Sequence, residues 1–115
     1  MIYLASPYSH AEAGVREERF RAACMMCGKL MSEGHHVFSP IAHTHPVAVL
    51  CDLPKGFAFW QEYDYWFVSH ASAVYVLMLD GWRESVGVTA EIQMALDLDI
   101  PVKYLRPNGE ESAPV

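Results

Sequence analysis

Residues 73–79 read Ala-Val-Tyr-Val-Leu-Met-Leu, seven apolar residues in a row without a turn-former among them. A run this short and this continuous predicts a strand buried on both faces, as in a parallel sheet flanked by helices. Its neighbours fit that frame. On its amino side, residues 57–71 carry Phe59, Tyr63, Trp66 and Phe67 at helical spacing. On its carboxyl side Asp80-Gly81-Trp82 turns the chain, Ser85 is placed to cap a helix, and Val88, Ile92, Ala95 and Leu96 form the buried stripe of that helix. Further out, Ile2-Tyr3-Leu4-Ala5 and His36-Val37-Phe38 are short apolar strands, each closed by a Ser-Pro pair. Between them, residues 12–33 repeat Phe20, Ala23, Cys27, Leu30 and Met31 at helical spacing, and Gly34 stops the helix. Pro101 precedes a last strand, residues 102–105.

Strand and helix thus alternate, which predicts an α/β fold: a single-domain three-layer sandwich, flavodoxin-like or Rossmann-like, around a parallel sheet of four to five strands. Residues 1–105 form the domain. The tail 106–115 has little apolar surface and is expected loose or docked on a neighbour. Residues 41–56 show no sustained period and, with Pro40, Pro46 and Pro54 in and beside them, read as a long loop with one helical turn at most.

Composition narrows the partners. The chain has 115 residues, a formal charge of −6, 52% hydrophobic and 19% charged residues, and no basic run. A nucleic-acid polymer or an anionic membrane surface is therefore a poor partner, and a small molecule a better one. The opening MIYLASPYS lacks a secretory pattern, no apolar run reaches membrane length, and three cysteines in an odd count read as reduced; the expectation is a cytoplasmic protein. Ample apolar surface on a small domain predicts a homo-oligomer, dimer or tetramer.

Ligands of open parallel sheets bind beyond the carboxyl ends of the strands. Three segments converge there: Ser6 to Ser9, Ser39 to His45, and Asp80 to Glu91. In the last, Ser85 and Gly87 begin a helix whose free amides suit an anion such as phosphate, with Gly87 allowing close approach. Glu91, one turn in, leans back toward that end; it serves either as a nucleophilic carboxylate or as a complement to the helix dipole. Asp64, set among aromatics, must face water, find a donor or shift its pKa. Tyr3 reads as core or as a catalytic hydroxyl. His43 and His45 are candidate ligand contacts, as are Ser6 and Ser9. A metal site is not expected, because HTHP is broken by proline and no cysteine pair or HExxH helix accompanies it. Cys24 and Cys27 lie mid-helix, away from the helix end that would activate a thiolate.

The opening IYLASPYS, the segment SVGVTAEIQMA at 85–95 and the placement of Asp64 before AVYVLML together resemble the nucleoside 2-deoxyribosyltransferase-like superfamily, which includes the 2′-deoxynucleoside 5′-phosphate N-glycosidases. SPIAHTHP, the Phe59-Trp60 pair and DGWxxSxGVxxEI are similar to a small bacterial family of uncharacterised proteins within that group. The order of motifs spans residues 2–105. The resemblance implies Glu91 as nucleophile, Asp64 as sugar-binding or acid/base carboxylate, and Tyr3 as an orienting hydroxyl. It also implies a nucleotide or nucleoside substrate, with no cofactor and with neighbouring subunits completing each other's sites. The candidate contacts to that substrate are Ser6, Ser9, His43, His45, Ser85 and Gly87, and the HTHP loop has no counterpart in the family. Ser85 matches a serine of the enzymes that handle 5′-phosphates. The first loop departs from the hydrolases, with SPYS in place of their glycines and arginine. The activity implied is cleavage or transfer at the N-glycosidic bond through a covalent glycosyl-glutamate; the alternatives are a nucleotide sensor using the same pocket, or a structural oligomer.

Overall fold

The computed structural model describes residues 1–115. Its elements run β1 (Ile2–Ala5), α1 (Ala13–Ser32), β2 (Val37–Phe38), α2 (Pro40–Leu50), α3 (Phe57–Ser69), β3 (Ala73–Leu77), α4 (Val86–Asp97), β4 (Val102–Leu105) and β5 (Glu111–Ser112). The sheet order is β2-β1-β3-β4-β5. The first four strands are parallel, with Tyr3 opposite Phe38 and Val74, and Val74 opposite Val102. This is the three-layer, Rossmann-like arrangement that the strand–helix alternation predicts, and its order reverses between β1 and β3.

Period-two alternation assigns side chains to the two faces of the sheet. Leu4 and Leu77 pack with Met26, Cys27 and Leu30 of α1 on one side. Tyr3, Ala5, Val74 and Val76 pack with Val68 of α3 and with Val88 and Ala95 of α4 on the other. Leu4, Leu77, Val68, Val74 and Val76 are completely buried, each worth on the order of 2 kcal/mol. Helix α1 ends as its glycine predicts: Gly34 takes φ 95°, and the His35 amide closes onto the Leu30 carbonyl.

Three expectations are corrected. Residues 40–50 are an eleven-residue helix rather than a loop. The Ser39 hydroxyl accepts from the Ala42 amide, Pro40 occupies the first turn where no amide is needed, and Pro46 is carried inside the helix. Strand β3 ends at Leu77, not Leu79, because its partner β4 stops at Leu105. The tail is docked on its own sheet: β5 pairs antiparallel with β4, and the Arg83 side chain donates to the Val115 carbonyl. No helix is long and apolar enough to cross a membrane.

Candidate active site

The switch between β1 and β3 opens a cleft at the carboxyl edge of the sheet, and two helices place carboxylates there. In α4 the buried residues are Val88, Glu91 and Ala95, so Glu91 interrupts an otherwise apolar stripe. In α3 they are Asp64 and Val68, one turn apart. Both stripes face β1, where the Tyr3 hydroxyl donates to Oε2 of Glu91. Tyr3 is fully enclosed; Asp64 and Glu91 keep only 7% and 4% of their surface.

Burial sets the protonation of this group. Burial, and then the neighbouring Asp64 charge, push the Glu91 carboxyl well above the usual range, against the Tyr3 hydrogen bond that favours its ionised form. Burial likewise raises Asp64 to about 6, opposed by hydrogen bonding with Glu91 and Tyr3. Tyr3 is raised by burial and by both carboxylates, so it remains a donor. Both shifts favour keeping a proton between the two acids, which titrate as a unit.

Above the pair lies a cavity of about 420 Å³, within the range of small-molecule sites. Ser6, Ser9, His45, Asp64, Ser85, Gly87 and Glu91 all line it. Tyr3 supports Glu91 from below. The Ser6 hydroxyl is buried and has no partner in the protein. The Ser9 hydroxyl instead donates to the Lys55 carbonyl at 2.9 Å, joining the first loop to the segment before α3. Lys55 is the single Lys or Arg of the lining, against Asp64, Glu84 and Glu91.

Two lining residues also serve the local structure. Ser85 caps α4 as expected, accepting from the Val88 amide at 3.2 Å and keeping its own proton free to donate. At Gly87 an added Cβ would lie 3.2 Å from the Phe57 ring, so the missing side chain makes room for Phe57.

His43 and His45 part company for a geometric reason: two positions along a helix differ by about 200° in direction. His45 is buried and turned to the cavity with Ile41, Thr44 and Ala48. His43 is exposed, against Phe38 and Tyr63, and outside the cavity, which corrects its expected role in binding. His35 and His36 lie at the other end of β2, beside Met1 and Met31. No three His, Cys, Asp or Glu side chains are grouped to hold a metal ion. The cysteines are unbonded, with Cys27 buried in the α1 face.

Sequence reasoning missed several members of the wall. Tyr8 bonds Nδ1 of His45 at 2.6 Å, and Nε2 of His45 meets Oε2 of Glu17 at 2.8 Å. Phe57, Trp60 and Thr44 also face the space. Ser39-Pro40 followed by Ile41, Thr44, His45 and Ala48 at helical spacing carried the helix signal, and with it the inward face of His45. Nothing in the local pattern around Glu17 points to a residue twenty-eight positions away.

A family model, a domain of unknown function (DUF1937), matches residues 1–106. The chain belongs to this family. No curated protein matches it. The DUF1937 match runs from β1 through β4 and so takes in Tyr3, Asp64, Glu91 and the cavity wall.

Proposed function

We propose that the chain cleaves or transfers at the N-glycosidic bond of a nucleoside or nucleotide, deoxyribose-containing in the first instance, through a covalent glycosyl-Glu91 intermediate. The observation that carries this reading is the Tyr3–Glu91–Asp64 cluster, a buried carboxyl pair with raised pKa values on the floor of the cavity. Burying two acids beside one another costs stability, and such clusters are found where chemistry uses them.

In retaining glycosyl transfer one carboxylate attacks C1′ as the base departs, and water or a second base then resolves the ester. Glu91 is the better nucleophile of the two, because Tyr3 holds its Oε2 in place. As positive charge builds at C1′, it favours the Glu91 carboxylate, and the shared proton passes to Asp64. Asp64 then donates to a sugar hydroxyl or to the leaving group. The amides at the start of α4, with Lys55, offer the 5′ end of the substrate an anion site when it carries phosphate. The scheme uses no metal or organic cofactor. A homo-oligomer, dimer or tetramer, belongs to the same proposal, since Leu50 of α2, Phe59 and Trp66 of α3 and Val86 of α4 are exposed.

The test is to incubate the purified protein with ribo- and deoxyribonucleosides and their 5′-monophosphates and follow free base by chromatography. Release from one class, faster for the deoxy form, is expected. Tight binding without release from any would replace the enzyme with a nucleotide sensor, and neither binding nor release would leave a structural oligomer.

A further inference from the structure

Tyr8 in the first loop, Glu17 in α1 and His45 in α2 are far apart in sequence, and the packing of α2 against α1 and β1 brings them into one hydrogen-bonded chain. The chain has direction. Tyr8 and His45 line the cavity, His45 is buried, and the Glu17 side chain is 46% exposed, so one end meets the ligand space and the other meets water. Phe20 stacks on the imidazole with centroids 4.4 Å apart and fixes its plane. Glu17 can only accept, so Nε2 of His45 carries hydrogen in either charge state. Neutral His45 accepts from the Tyr8 hydroxyl through Nδ1. Protonated His45 donates to the Tyr8 oxygen and frees the phenol proton for a ligand. Burial raises the Tyr8 phenol, with Arg16 opposing, so it keeps its proton and acts as a donor. Arg21, 3.7 Å from Glu17, is the other charge near the outer end.

We propose that Tyr8 is the acid that protonates the departing base, its proton replaced from His45, whose imidazole Glu17 holds through Nε2; this rests on the glycosidic reaction proposed above. In the first half, the bond from Glu91 to C1′ forms and the C1′–N bond breaks. The Tyr8 O–H proton goes to the base nitrogen while the Nδ1 proton of His45 passes to the Tyr8 oxygen, leaving a neutral imidazole. In the second half, water attacks C1′ and the Glu91 ester opens. The water proton goes to Tyr8, whose own proton returns to Nδ1. The sum is base–C1′ plus water giving base–H and HO–C1′. The proton thus reaches the base from the wall made by the first loop and α2, while Asp64 stays with the sugar at the floor.

The experiment compares wild type with Tyr8→Phe and Glu17→Gln on two kinds of leaving group. One is the nucleobase, in the nucleosides and 5′-monophosphates; the other is 4-nitrophenolate, in the 4-nitrophenyl glycosides of the same sugars, which leaves without protonation. Tyr8→Phe should lower kcat on nucleobase substrates about 100-fold, the usual worth of an acid catalyst, and leave the nitrophenyl glycosides within about threefold of wild type. Glu17→Gln should show the same split at about tenfold. An equal loss on both leaving groups makes Tyr8 a packing residue and overturns the relay alone, as does an unimpaired Tyr8→Phe. Wild type inactive on both overturns the glycosidic reading and the relay with it.

Discussion

Replacing Asp64 by Asn tests the buried acid pair without any substrate. Wild-type Asp64 is protonated up to about 6 in the folded protein, against an ordinary value of 3.8. A shift of about 2 units corresponds to about 3 kcal/mol. Because the folded value lies above the unfolded one, the stabilisation this difference represents is complete below about pH 4 and is lost as pH rises through about 6. Glu91, raised further by the same burial, continues the loss above that. Asn at 64 has no proton to lose and relieves Glu91 of a neighbouring charge, so the variant should gain on wild type across this window. For 115 residues, an unfolding entropy of about 2.1 cal/mol/K per residue makes each kcal/mol about 4 °C in Tm. The difference in Tm, variant minus wild type, should therefore rise by about 10 °C between about pH 4.5 and 7.5 at constant ionic strength. Unfolding followed by tryptophan fluorescence measures it. Taking the difference cancels the titration of the other carboxylates. A difference that stays flat within about 2 °C, or falls with pH, would mean that Asp64 is ionised throughout and that burial does not raise its carboxyl.

Glu91→Gln should lower kcat for base release by at least about 10³-fold and leave the affinity for the same nucleotide, read by calorimetry, within about threefold. Tyr3→Phe removes the one hydroxyl bonded to Glu91 and should cost about 1–3 kcal/mol in the barrier, seen as a fall in kcat with little change in KM. Ser39→Ala removes the cap of α2 and should lower Tm by about 4 °C, the equivalent of about 1 kcal/mol. A Ser39→Ala protein as stable as wild type would show that the rest of α2 holds without its cap.

The sheet was legible because its signals are local. AVYVLML and IYLA are apolar runs closed by turn residues, and the periods of α1, α3 and α4 persist for three turns or more. Helix α2 was hidden by two features. Its exposed face carries Val47, Val49 and Leu50, which blurs the apolar stripe, and Pro46 inside it reads as a breaker. The tail was hidden because strand β5 is two residues long and owes its conformation to the edge of β4 rather than to its own composition. The site divides in the same way. Glu91, Ser6 and Ser85 follow from their positions after strands and at a helix start. Asp64 had two open orientations, settled by the packing of α3 on α4. The Tyr8–His45–Glu17 chain is purely tertiary, since its members come from a loop and two helices, and no spacing in the sequence expresses it.

Covalent capture on Glu91 decides between an enzyme and a pocket. A 2′-fluoro-arabino nucleotide or nucleoside slows both halves of a retaining reaction, because fluorine disfavours positive charge at C1′, and it slows release of the ester enough to be weighed. Intact-protein mass spectrometry after incubation should show the protein heavier by one fluorinated sugar unit, with a stoichiometric burst of free base. Peptide mapping should place the addition on Glu91, and Glu91→Gln should remain unmodified. Turnover of the natural substrate with no adduct on Glu91, or an adduct on another residue, would contradict the assignment.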